Sequence, residues 1–271
     1  SSSWLMYGFL RNWVKPWPAL FGTLLFSLAP YRIMSIYVRG ALPEFFVSTW
    51  IVLTAQGLVW WKQEQRRAGF VALVLGLAGI FLTHPMMIIP TSILLLPLVL
   101  WILWPFSSLR KRIPECLSLG LAGGLGAGFA SYYLFPLFLE VKYFYYGQAE
   151  SHLMGQFLSW RNILLPAWPY FTENDIGPRG QYFHLGGFEL LILIVATVFL
   201  FWRFIQLRRI KLGPLSVALG MSLVFVLLLL PVSNVLYQHL FFFNNVQHPW
   251  RMFTGLIFLP PFILALLLNR V

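Results

Sequence analysis

The sequence predicts an all-α integral membrane protein of about eight transmembrane helices, and three observations predict it. Of its residues 59% are hydrophobic and only 10% charged, with a mean hydropathy of +0.76, whereas soluble domains carry roughly 25% charged residues. Apolar runs long enough to cross a bilayer, about 20 residues each, recur along the whole chain. Lysines and arginines collect between alternate runs, as they do in cytoplasmic loops.

The runs cover approximately 18–37, 43–61, 68–83, 86–104, 116–139, 185–202, 214–235 and 252–269, and residues 1–10 read as the tail of another. The chain opens on SSSWLMYGFL, without an initiator Met or a signal-peptide pattern, so it reads as part of a longer protein. Residues 1–271 are expected to form one transmembrane domain. Pro43 and Glu44 suit a first helical turn, where the missing N–H is harmless and the carboxylate faces the positive dipole end. The run at 68–83 is short, and His84-Pro85 after it allows a tight helical hairpin or a partly re-entrant pair. Gly120, Gly124 and Gly128 fall on one helix face, where a neighbouring helix can approach closely.

Residues 140–184 form the one long stretch outside the spans, expected as an extracytoplasmic loop. Within it Leu153, Phe157, Trp160 and Leu164 recur at helical spacing, which predicts an amphipathic helix lying in the interface. "PAWPYFTENDIGPRG" then reads as loop, with Pro/Gly punctuation and aromatic rings at headgroup depth.

Alternating the spans places Arg11, Lys15, Lys62, Arg66, Arg67, Arg110, Lys111, Arg112, Arg203, Arg208, Arg209, Lys211 and Arg270 on one side, with only Glu64 and Glu115 beside them. The other side holds Arg32, Arg39, Lys142, Arg161, Arg179 and Arg251 against Glu44, Glu140, Glu150, Glu173, Asp175 and Glu189. One side therefore carries the whole net charge of +11 and the other is balanced. This predicts a plasma-membrane protein with its basic loops in the cytoplasm and no need for a nucleic-acid partner. The same map puts His84, His152, His184, His239 and His248 on the extracytoplasmic side, where any chemistry is expected.

Few catalytic patterns are available. Asp175 is the single aspartate, so the chain lacks an Asp-x-Asp metal motif; it also lacks His-x-x-x-His and His-x-Glu spacings and a serine nucleophile elbow. Cys116 stands alone, which excludes an intrachain disulfide and a Cys-rich metal site. What remains is a set of polar groups at the outer ends of spans.

Those stretches, "PYRIMSIYVRGALPEFF", "FLTHP", "SYYLFPLFLEVKY", "YFHLGGFELLIL" and "LLLPVSNVLYQHLFFFNNVQHPWRMF", resemble the bacterial membrane family labelled "6-pyruvoyl-tetrahydropterin synthase-related", a label that implies no pterin chemistry. That family is similar to the C-type glycosyltransferases, which take sugars from polyprenyl-phosphate carriers at the outer membrane face. The resemblance implies a C-type glycosyltransferase-like fold, a polyprenyl-phosphate sugar donor and an outer cavity faced by Arg39, Tyr37, Glu44, His84, Gln247, His248, Trp250 and Arg251. Members carry their acidic catalytic or metal-binding motif in the first outer loop, which this chain does not include. No catalytic residue or metal ligand is assigned, and a divalent metal enters only with such a motif upstream.

Arginine's fixed, always-charged fork suits a phosphate better than other side chains do, so Arg251 and Arg39 are the candidate phosphate clamp. The plain alternative is an arginine at a helix end reaching lipid headgroups beside a belt tryptophan. Three functions stay open: a glycosyltransferase-like enzyme with an unknown acceptor, a catalytically silent structural subunit of a larger membrane complex, and a lipid-linked glycan transporter.

Overall fold

Prolines set where the helices begin. The residue before a proline is pushed out of helical conformation into extended backbone, and Lys15, Ala29, His84, Gly213, Leu230 and His248, each preceding a proline, have ψ between 89° and 173°. A helix or 3₁₀ turn starts immediately after each. The structure is a computed structural model describing residues 2–104, 109–140, 143, 157–164, 184–207, 213–244, 246 and 248–270. These residues are helical, without a strand among them. Among the described residues six helices are long and apolar enough to cross a membrane, or up to eight if each of two bent pairs is one span.

The chain divides into two units, one of residues 1–12 with 41–146 and one of residues 13–40 with 147–271. The first contains α1 (Ser2–Arg11), α4 (Leu42–Lys62), α5 (Arg66–Thr83), α6 (Ile88–Leu103), α7 (Leu109–Phe129) and α8 (Ser131–Glu140), numbered in chain order. α4 and α5 form an antiparallel hairpin. Its turn places Glu64 at a φ of 62°, and the Gln65 N–H closes on the Trp60 carbonyl at 2.9 Å, a Schellman-type end that satisfies an orphan carbonyl.

Glycines let the two helices touch backbone to backbone. A Cβ at Gly69 would lie 2.8 Å from the Gly57 carbonyl oxygen and the Trp61 nitrogen, and one at Gly79 would overlap the Trp50 ring. Leu58, Trp61, Leu73, Leu95, Ile102 and Ala122 close the core around this seam. At one end Glu115 of α7 accepts from the Trp61 indole N–H at 2.7 Å and pairs with Arg66 through the same oxygen. Asn12, just after α1, donates to Gln56 of α4 at 2.9 Å. The helix ends carrying Arg11, Lys62, Arg66, Arg110 and Arg112 therefore gather at that end of the unit.

The second unit contains α2 (Pro16–Ser27), α3 (Pro30–Tyr37), α9 (Trp160–Leu164), α10 (Gly187–Leu207), α11 (Pro214–Leu229), α12 (Asn234–His239), α13 (Phe241–Asn244), α14 (Phe253–Leu256) and α15 (Leu259–Leu268). α15 is its centre, packing on α2, α10 and α11. Phe26–Phe258 and Tyr31–Phe253 ring contacts, at 5.1 and 5.5 Å, tie α2 and α3 to the segment around α14. Hydroxyls hidden in the spans, among them Thr23, Ser35, Thr54, Thr91 and Ser222, donate to the carbonyl four residues back, so they add no unmet polar group.

The structure departs from the sequence expectations at four places. The run predicted at 116–139 is two helices, α7 and α8, bent by 75° at Ala130, where a glycine-rich turn ends. The run at 214–235 breaks at Leu230-Pro231 and bends by 82°, because Pro231 ends α11. Gly120, Gly124 and Gly128 are exposed with open space beside them, and α7 packs on α5 through Gly126 instead. In the 140–184 loop the described helix is only Trp160–Leu164; Phe157, Leu158 and Ile163 are buried while Trp160 and Leu164 are exposed. Leu153 and residues 165–180 of that prediction lie outside the described residues.

The seam yields a direct test. Gly69→Ala pushes a methyl group into rigid backbone and should cost about 1–3 kcal/mol, as overpacking does, whereas Gly124→Ala meets only open space and should leave stability unchanged or raise it. Thermal unfolding of the purified variants measures both; equal melting temperatures for the two would show that the seam is not tight.

Candidate functional site

Arg251 sits in the 3₁₀ turn Pro249–Met252, which begins because His248 is held extended before Pro249. One of its terminal N–H groups donates to the Val246 carbonyl at 2.8 Å. Only 8% of Arg251 and 7% of Trp250 remain exposed. Trp250 is the hub of this segment. The His248 ring stacks on it at 4.9 Å with 9° between planes, the Arg39 guanidinium lies 4.2 Å from the indole centroid, and that of Arg251 lies 5.7 Å away.

Arg39 reaches the indole because α3 ends just before it. The N–H groups of Val38 and Arg39 both close on the Met34 carbonyl, at 3.1 and 2.9 Å, and Gly40 then takes a φ of 60° to redirect the chain. All of these residues belong to the second unit. A cation over an indole face gains about 0.5–2 kcal/mol, more as water is excluded, so the cluster fixes a half-buried guanidinium in a defined orientation. Tyr37, by contrast, is 81% exposed and the structure does not bring it into the cluster. Gln247 lies outside the described residues.

Glu44 and His84 meet in the first unit. Glu44 occupies the first turn of α4 and His84 caps the C-terminal end of α5, so the antiparallel hairpin puts both at the end opposite the basic cluster. His84 Nε2 is 3.7 Å from Glu44 Oε1, and both side chains are largely buried. Burying a carboxylate costs several kcal/mol unless polar or charged neighbours compensate, and the imidazole is such a neighbour.

The sequence reading missed Arg32. Its side chain is buried, with the guanidinium 4.1 Å from the centroid of the Phe26 ring. The signal is in the sequence: Arg32 lies inside an otherwise apolar run, where a charged group is costly and functional by default. Glu189, counted from sequence among the outer charges, is buried in the first turn of α10. It fills the space left by Gly186, whose Cβ would overlap the carboxylate and lie 2.8 Å from Pro30 Cγ. Among the described residues no group of three His, Cys, Asp or Glu side chains converges as metal ligands do.

The fold and these groups define a class: a protein whose described residues are helical, with six to eight helices among them able to cross a membrane and charged side chains buried near helix ends. Comparison with protein families, with curated proteins and with solved structures finds no match for this chain.

His184, outside the spans, gives a pH dependence with a definite sign. It is buried, and desolvation holds its pKa below the ordinary 6.5 against a smaller opposing contribution from the Leu185 carbonyl. Below pH 6.5 the unfolded chain therefore binds a proton that the folded chain refuses, and stability falls as the pH drops toward the folded-state pKa. The melting temperature should decline between pH 7.5 and 5.5, and His184→Gln should reduce that decline; an identical pH profile in the variant contradicts the assignment.

Proposed function

We propose that this chain is a glycosyltransferase-like membrane protein that binds a polyprenyl-phosphate-linked sugar at the extracytoplasmic face of a bacterial inner membrane. The observation that carries the reading is the pair of arginines, Arg39 and Arg251, flanking one buried indole. The first is oriented by Trp250 and the second is tied to the Val246 carbonyl. The resemblance of the same stretches to the C-type glycosyltransferases supports it.

In such a reaction an acceptor oxygen attacks the anomeric carbon, the bond from that carbon to the phosphate oxygen breaks, and the lipid phosphate departs with the electron pair. Charge grows on the phosphate as the bond lengthens. Guanidinium groups held in place before the reaction stabilise that charge without reorganising, an effect on the order of 3 kcal/mol for a single donor. Arg39 and Arg251 fill this role, with the indole and His248 setting their positions. The acceptor's proton leaves to a general base, a role that no residue of this chain is assigned.

Substituting each arginine by lysine retains the charge and removes the fork. Binding of a polyprenyl phosphate to the purified chain in nanodiscs should weaken at least tenfold in Arg251→Lys and several-fold in Arg39→Lys, with melting temperatures close to that of the parent. Unchanged affinity in both variants rejects the clamp.

A further inference from the structure

The bend after α7 leaves a ten-residue helix that does not continue the span. We infer that α8 is an interfacial anchor, lying nearly in the membrane plane with its aromatic arc in the headgroup and glycerol layer of the bilayer. This does not depend on the glycosyltransferase reading.

Length is the first argument. The apolar stretch Arg112–Phe129 rises about 27 Å at 1.5 Å per residue, close to the roughly 30 Å of hydrocarbon it has to cross. Arg110 and Arg112 mark its start, where long cationic side chains reach headgroups. Its far end is therefore at the opposite interface, and the chain turns there by 75°. A straight continuation to Glu140 would need about 43 Å and would carry that carboxylate well beyond the apolar layer.

Exposure is the second argument. Tyr132, Phe135 and Phe138 are exposed to 74%, 68% and 72%, Tyr133 and Leu139 are exposed as well, and Leu134 is the one buried side chain of α8. At about 100° per residue the three rings share one side of the helix. Such an arc, fully exposed to water, would be a liability; at the interface it is the environment that amphipathic rings favour, with the Tyr132 hydroxyl wet and the ring bodies in acyl chains. A span is fixed by anchors of this kind at both ends, and α7 then has arginines at one end and aromatics at the other.

The test uses the whole chain in nanodiscs of phosphatidylethanolamine and phosphatidylglycerol at 3:1. In a Cys116→Ser background, single cysteines at Leu121, Leu125, Tyr132, Phe135 and Phe138 receive a nitroxide, and accessibility to oxygen and to a nickel chelate reports depth. The expected result is a steady change from Leu121 to Leu125, then a near-constant headgroup-level depth from Tyr132 to Phe138. A depth advancing by about 9 Å over those six residues, as a straight helix requires, overturns the inference. So does bulk-water accessibility at all three α8 positions, or spin–spin broadening between copies, which would put a second chain on this face. Hydroxyl-radical footprinting of the unsubstituted chain gives a reading free of the cysteine changes: oxidation of Tyr132 above that of Leu125 is expected, and equal protection of the two would overturn the assignment.

Discussion

Lipid offers no hydrogen bonds. Every backbone N–H and C=O inside a bilayer must find its partner within the protein, and the break between α11 and α12 shows how this chain meets the requirement. Pro231 ends α11 and leaves the last carbonyls of the helix without intrahelical donors. The Ser233 hydroxyl lies 3.1 Å from the Leu228 oxygen and 2.8 Å from the Leu230 oxygen, and the Ser233 N–H donates to Leu230 at 3.0 Å. The Tyr237 hydroxyl, on a fully buried ring, donates to Leu228 at 3.2 Å, and the Leu158 N–H to Leu229 at 3.0 Å. With the Leu230 N–H closing on Leu227 at 3.2 Å, the carbonyls of Leu227, Leu228, Leu229 and Leu230 all have donors, so the bend is part of the fold rather than a local fraying.

The same constraint explains where charge is placed. Arg32, Arg251, Glu44 and Glu189 are buried, yet each stands in or beside the first turn of a helix or 3₁₀ segment that has a proline or glycine at its first or second position. Aromatic faces take up part of the cost for the arginines: Phe26 for Arg32, Trp250 for Arg39 and Arg251. The carboxylates at Glu44 and Glu189 use the positive ends of α4 and α10. Charged groups organised this way are packed in place, as a flexible surface side chain is not.

How much of this the sequence discloses depends on the range of the interaction. Spans α4, α5, α6 and α10 are readable from apolar length alone, and prolines at 16, 30, 85, 214, 231 and 249 mark where helices or turns begin. The bend at Ala130 is not readable, because the hydropathy of 116–139 is continuous across it; Ala130 and Leu134 are the buried positions at the bend and just after it. The spacing of Gly120, Gly124 and Gly128 signals close approach as strongly as that of Gly57 or Gly126, and only the neighbours decide which glycine is used. In the candidate site, Arg39, Trp250, His248 and Arg251 were readable as polar residues at span ends, but the indole-centred stack required coordinates. Arg32 belongs by sequence both to the outer charges and to the apolar run that contains it, and only its burial decides between the two.

The most direct measurement is amide hydrogen exchange of the intact chain in lipid nanodiscs, resolved at Leu158 and Ser233. If the broken span is sealed by the donors described, these two amides exchange as slowly as those of Phe225–Leu229 in the helix before them. Exchange at both positions orders of magnitude faster than in that helix would show that the carbonyls at the break are served by water, and the arrangement of this half of the protein would be wrong.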